Sequence, residues 1–328
     1  MRRALLGLLL VAFLPLVGHH PVQAEDWAEM TGWPNAAREA QRAFEVELNK
    51  VPSAKRLRAW HDGFCAEPHP AGTEGEARLI QKMAASFRGM GLETDVHEFW
   101  AYMPTFEHAT LSVAAGQVIT PLLPLREQPV SGDAAVATEA QVPAAFNAYS
   151  ASGVAQGGVV YANYGTKEDF ALLDELGVSC KGRVVIARYG RNYRGFKAKY
   201  AEAAGAAGLL LYTDPADSGY GKGLPYPEGG YANASSIQRG SVKTLAYPGD
   251  PLTPYKEATK DAKRLDPNTV ALPRIPVQPI GWAAAQQILG RMKGQEAPKG
   301  WQGGLPFRYR VTDGGDLSVR LEVVQPRS

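Results

Sequence analysis

The chain has 328 residues, enough for about two domains, and its 45% hydrophobic content is ample for a core. Its 35 basic residues nearly balance 33 acidic ones, and no basic patch stands out. Counterion-driven binding needs such a patch, so nucleic acid and charged membrane surfaces are not indicated as partners. The 35 glycines and 24 prolines point to a fold with many turns, because both are depleted from helix interiors.

At the N-terminus, Arg2 and Arg3 precede a short apolar run over residues 4–17, and Val22-Gln23-Ala24 offers the small residues a signal peptidase reads. Pro15 interrupts the run, which is short of the roughly 20 residues a membrane span needs. Residues 1–24 are therefore expected to be a cleaved signal peptide rather than an anchor, with a secreted or periplasmic product. Without them the charges balance at 33 basic and 33 acidic side chains. In an oxidising compartment Cys65 and Cys180 could pair, but two cysteines do not make a disulfide framework.

Residues 35–50 carry Ala37, Ala40, Phe44 and Leu48 at helical spacing, and a second helix follows Ser53, with Leu57, Trp60 and Phe64 on one face. A loop over 67–73 leads to Thr73 and Glu76, spaced as a capping box. The helix they open shows Ala77, Ile80, Ala84 and Phe87 on one face and stops at Gly91, and residues 92–100 alternate as a strand does. From about residue 105 the pattern changes. Short β-prone runs at 109–113, 158–161, 183–189 and 208–212 are separated by Gly- and Pro-rich loops. A helix at 196–204 between the last two makes a βαβ unit. Residues 214–279 are nearly all turn signals, 282–292 read as a helix, and 317–324 alternate as a half-buried strand.

The residues offer no obvious catalytic centre. No His-Glu-x-x-His, zinc-spaced Cys/His cluster or Gly-x-Ser-x-Gly occurs. His69 sits between prolines in a loop and is expected to face solvent. The carboxylate pairs Asp214/Asp217, Glu168/Asp169 and Asp174/Glu175 have no apolar setting that would raise a pKa and are expected on solvated faces. Composition and pattern alone lead to a secreted α+β protein.

Longer motifs say more. The run Lys181-Gly182-Arg183-Val184-Val185-Ile186-Ala187-Arg188-Tyr189-Gly190, then Asn192-Tyr193-Arg194-Gly195, then Gly208-Leu209-Leu210-Leu211-Tyr212-Thr213-Asp214-Pro215-Ala216-Asp217, occurs in order with Gln238-Arg239-Gly240, Asp250-Pro251-Leu252-Thr253-Pro254 and Ile275-Pro276-Val277-Gln278-Pro279-Ile280-Gly281. Together they resemble the protease-associated (PA) domain of the glutamate carboxypeptidase II and transferrin receptor family of zinc exopeptidases. Pro68-His69-Pro70-Ala71-Gly72-Thr73 is similar to that family's N-terminal segment.

The resemblance implies a mixed α/β (α+β) fold in which a PA domain of strands and packed helices is inserted in an incomplete zinc-exopeptidase domain. Residues 25–104 would be its N-terminal piece, 105–316 the PA domain, and 317–328 a truncated return strand seeking neighbours elsewhere. The complete family protein implies two zinc ions. Their ligands and the general base fall beyond this sequence, so no catalytic or metal residue is assigned and the chain alone is expected to be inactive. Arg194 stands where the family grips the α-carboxylate of a peptide, a task suited to a planar guanidinium, so the implied partner is a peptide with a free C-terminal carboxylate. Ser241 stands where glutamate-specific members carry Asn, which puts glutamate selectivity in question. Arg191 and Lys197 nearby are expected to be solvated. Thr253 and Tyr255 fall at calcium-ligand positions, but the spacing is one short and a hard cation needs about six to eight oxygens. The family also implies a homodimer, and its transferrin receptor branch offers the alternative of a non-catalytic binding module.

Overall fold

The computed structural model describes residues 32–116, 118–120, 123–138 and 142–328. The signal-peptide reading lies outside them. The chain divides into two compact units, one ending at Gly63 and the other running from Phe64 to Ser328.

The first unit carries α1, Asn35–Leu48, and all but the last residue of α2, Ala54–Phe64. Ser53 caps α2 as expected, its Oγ accepting from Arg56 N. The apolar stripes are present in sequence, but Phe44, Leu48 and Leu57 are exposed; helical periodicity shapes the helix without burying its face.

In the second unit, α3 spans Glu74–Gly89. Thr73 Oγ1 accepts from Glu76 N at 3.4 Å, which is half of the predicted capping box. The other half is shifted by one residue. Thr73 N already donates to Pro70 O at 3.2 Å, so the Glu76 carboxylate takes Gly72 N instead. Gly91, at φ +80°, ends the helix as predicted, with Leu92 N reaching back to Phe87 O. Residues 92–100 form no strand. Alternation gives such a segment two faces, but a strand also needs a neighbour to pair with, and among the described residues no strand forms a ladder with it.

Among the described residues, eight strands and three further α-helices follow: β1 His108–Ala115, β2 Val118–Thr120, β3 Gly153–Gly157, β4 Val159–Tyr161, α4 Lys167–Glu175, β5 Val184–Arg188, α5 Arg194–Ala203, β6 Gly208–Tyr212, β7 Val277–Ile280, α6 Trp282–Leu289 and β8 Leu317–Val324. They build two four-stranded sheets. One, in the order β4-β5-β6-β7, is parallel. Nearly every residue in its strands is buried, which is why they read as continuous apolar runs. The other is antiparallel in the order β2-β1-β8-β3.

That second sheet corrects the expectation for the C-terminal strand. β8 lies between β1 and β3, with Leu321 opposite both Leu111 and Ala155. Its partners come from within the segment read as the PA domain, because the alternation Leu317, Val319, Leu321, Val323 matches the buried faces of β1 and β3. The sheets meet at Gly208, where an added Cβ would sit 2.6 Å from Ala155 Cβ and 3.6 Å from Leu321 Cδ2. Several elements lay inside regions read as loops, β2 and β3 among them. Helix α4 is held by a complete capping box between Thr166 and Asp169. Strand β7 contains Pro279 and takes the edge of its sheet, where a missing N–H costs no ladder bond.

Candidate functional site

The site forms where β5 hands over to α5. The chain leaves the sheet at buried Tyr189 and turns through Gly190 at φ +114° and Arg191 at φ +66°. α5 then starts directly at Arg194 with no side-chain cap. Opposite lies segment 238–242. Arg194 Nη2 donates to Gln238 Oε1 at 3.1 Å, and its guanidinium carbon lies 5.6 Å and 5.7 Å from the ring centroids of Tyr189 and Tyr193. Arg194 Nε is buried and unpartnered. Gly240, at φ +144°, is required there: a Cβ would stand 2.2 Å from Arg194 Nη1.

The opposing segment is itself anchored. Arg239 grips Glu127 through both terminal nitrogens at 2.6 and 2.8 Å and donates to Pro143 O and Ala144 O. Tyr189 OH donates to Gln238 O at 2.8 Å. Asn147, fully buried, donates from Nδ2 to Gly240 O and Tyr189 OH. Burial pushes the Tyr189 phenol up to about 12, so it stays a neutral donor. Glu127 and Asn147 carried no motif that would have marked them; only the fold brings them to Gly240. On the side of Arg239 and Gly240, an apolar cleft of about 590 Å³ also takes in Pro68, His69 and Phe146, so the Pro-His-Pro loop and the Gln-Arg-Gly run share one depression. His69 is exposed, as expected.

Arg194 and Ser241 are thus brought to one place, though Ser241 enters through its backbone. Tyr193 OH donates to Ser241 O at 2.5 Å, while Ser241 Oγ accepts from Lys243 N in its own loop. Lys197 departs from expectation altogether: it is 0% exposed. Its Nζ donates to Gly190 O at 2.7 Å, Asn192 Oδ1 at 2.5 Å and Tyr164 O. A lysine with three fixed acceptors can be buried, and burial lowers its pKa to about 8. Arg191 is exposed as expected.

Of the carboxylate pairs, Asp174 and Glu175 are exposed as expected, as is Glu168, but two single members differ from their reading. Asp214 is 0% exposed and accepts from Tyr212 OH, Tyr309 OH, Ala216 N and Gly304 N, a structural hub. Asp169 is buried as the cap of α4. Thr253 and Tyr255 do not converge on a cation. The Thr253 hydroxyl donates to Asp250 Oδ2 at 2.8 Å, Asp250 also accepts from Tyr102 N and Leu252 N, and Tyr255 is 81% exposed. Among the described residues no group of three or more His, Cys, Asp or Glu is placed to hold a metal ion. They do not fit a two-zinc centre. Cys65 is exposed and Cys180 is buried.

Residues 134–245, which include Arg194, Gln238 and Ser241, match the family model of the PA domain. The chain carries a PA domain. It is homologous over about four-fifths of its length to glutamate carboxypeptidase-like and aminopeptidase-like proteins. It is 34% identical over 273 residues to the aminopeptidase NAALADL1 of Rattus norvegicus, covering 80% of this chain and 36% of that protein. It is 32% identical over 277 residues to the glutamate carboxypeptidase 2 homolog of Caenorhabditis briggsae, covering 79% and 34%. The chain therefore spans about a third of the length of these relatives. A solved aminopeptidase from Aneurinibacillus sp. strain AM-1 aligns with 85% of this chain and 46% of its own, at a TM-score of 0.40 and 14% identity, too distant to bear on chemistry.

Proposed function

We propose that this PA-containing chain forms the carboxylate-binding wall of a secreted, zinc-dependent exopeptidase, with Arg194 receiving the C-terminal carboxylate of a peptide. The observation that carries the reading is the state of the Arg194 side chain. Gln238, Tyr189 and Tyr193 fix its guanidinium, yet it has no carboxylate partner within the chain among the ion pairs of the described residues. A preorganised, charge-unsatisfied arginine is the group that a carboxylate ligand completes. The homologues' names, aminopeptidase and glutamate carboxypeptidase, support a peptide substrate. Hydrolysis, with its metal chemistry, belongs in this reading to sequence these relatives have outside the matched third. In this reading the protein also assembles as a homodimer, to be checked by sedimentation.

The test is calorimetric titration of the chain with an N-acetylated tripeptide and with the same peptide as its C-terminal amide. A hydrogen bond to a charged group is worth about 1.5–3 kcal/mol, so the free acid should bind at least about tenfold more tightly. Arg194→Gln should erase the difference. Equal affinity for acid and amide in the native chain would refute the reading.

A further inference from the structure

We propose that Lys197 is the positioning residue for Arg194, its buried ammonium setting the carboxylate preference of the site by locking the 190–193 turn. The inference rests on the function proposed above.

Arg194 and Lys197 lie three residues apart on α5, yet one meets the opposing segment and the other is buried against the 190–192 turn and Tyr164. The Lys197 ammonium has three protons and three acceptors, each from the parts that must be held together. Gly190 O and Asn192 Oδ1 flank Arg191 in the turn, and Tyr164 O comes from the loop between β4 and α4. Arg191 at φ +66° is a conformation that non-glycine residues keep only when the surroundings over-determine it. The ammonium supplies that determination by fixing the residue on either side. Asn192 is tied a second time, its Nδ2 donating to Gly165 O at 3.3 Å. Gly165, at φ +59°, lies so close that an added Cβ would be 3.3 Å from Lys197 Cβ, so the lysine stem has one path to its acceptors. The turn then delivers Tyr193 and Arg194 to Ser241 O and Gln238.

The acceptors are two carbonyls and an amide oxygen, with no carboxylate in the first ring of partners. The charged and titratable groups around them are Tyr164 with Asp217, which accepts from its hydroxyl at 2.6 Å, Arg188 4.0 Å above the Tyr164 ring, exposed Arg191 5.4 Å from the same ring, and Asp169 at the start of α4. Burial depresses the amine, Asp169 and Asp217 pull it back up, and Arg188 depresses it further, leaving it at about 8. A neutral amine donates two hydrogen bonds where the ammonium donates three, so above that pH one acceptor of the turn loses its partner. A peptide carboxylate does not titrate there.

Two readouts test this on the purified chain. Lys197→Met keeps the stem and removes the donors. Hydrogen exchange of the amides of residues 190–194 should accelerate by about tenfold or more, and the preference for free acid over amide should fall by a similar factor. Native-like exchange in this segment of the variant would overturn the proposal. Should the variant fail to fold, the wild-type chain answers instead: its acid-over-amide preference should fall at least about fivefold between pH 7 and pH 9.5, and a flat profile would overturn the proposal. A wild-type chain with no acid preference at pH 7 defeats the function assigned to Arg194, and the exchange measurement then judges Lys197 alone.

Discussion

Replacing Leu321 with alanine tests whether β8 belongs to the core of the PA-containing unit or only borders it. Leu321 is 0% exposed, stands opposite Leu111 on one side and Ala155 on the other, and reaches toward Gly208 of the parallel sheet. The change removes three carbons, worth about 2.4 kcal/mol by transfer. The cavity between two sheets whose backbones already touch cannot collapse easily and adds to that, for a total of about 3–4 kcal/mol. In a unit of this size each kcal/mol lowers the melting temperature by about 2–4 °C, so thermal denaturation followed by circular dichroism should show a loss of roughly 6–16 °C.

The neighbouring residue supplies the control. Arg320 points to the other face of β8 and pairs with Glu322 at 2.8 Å, both partly exposed. Such pairs contribute about 0–1 kcal/mol, so Arg320→Ala should melt within a few degrees of the parent. If Leu321→Ala melted no lower than Arg320→Ala, the strand would not be part of this core and its central place in the antiparallel sheet would be wrong.

Three other measurements probe the remaining buried groups. Asp214→Asn turns one acceptor oxygen into an amide donor facing Tyr212 OH, Tyr309 OH or a backbone N–H; an unfolding titration in urea should show a loss of about 3 kcal/mol, and an unchanged midpoint would remove its status as a hub. Cys180 of the native chain should resist Ellman's reagent at pH 8, because it is buried and burial pushes its thiol up to about 11. Denaturant should make it react, and equally fast labelling of Cys180 in the native chain would contradict its burial. Lys197 has a folded pKa of about 8 against an ordinary 10.5, so between those values the unfolded chain binds more protons and stability must rise with pH through this group. Urea midpoints at pH 8 and 9.5, taken as the difference between the parent and Lys197→Met so that the buried tyrosines cancel, should therefore move in the parent's favour; a move the other way contradicts a buried ammonium.

What the sequence disclosed depended on how local the cause was. β5 and β6 were legible because burial on both faces leaves an unbroken apolar run, and the stop of α3 was legible because Gly91 adopts a backbone conformation that favours glycine. The Thr166-x-x-Asp169 spacing before Phe170 and Leu173 was an equally local signal for α4, obscured by reading Glu168 and Asp169 as a surface charge pair. β7 was hidden by Pro279, which is tolerated only because the strand lies at an edge, a fact of sheet order. Segment 92–100 shows the converse: alternation satisfied, partner absent. The second neighbour of β8 came from Gly153–Gly157, a run with too little apolar character to announce a strand.

The site divides along the same line. Family likeness located Arg194, since nothing in its spacing distinguishes it from Arg191 three residues earlier. The burial of Lys197 ran against the strongest prior that composition supplies, that lysine is almost never fully buried. Its three acceptors are separated from it by five, seven and thirty-three positions, and two of them are backbone carbonyls, which any residue provides. No pattern of side chains encodes such a partner. What the sequence did contain was the demand: a turn with Gly190 and Asn192 around a non-glycine residue that must adopt a left-handed conformation just before a helix without a side-chain cap. That turn closes locally through Asn192 N donating to Gly190 O at 2.8 Å, and the long side chain one helical turn ahead is within reach to add the further bonds that hold it.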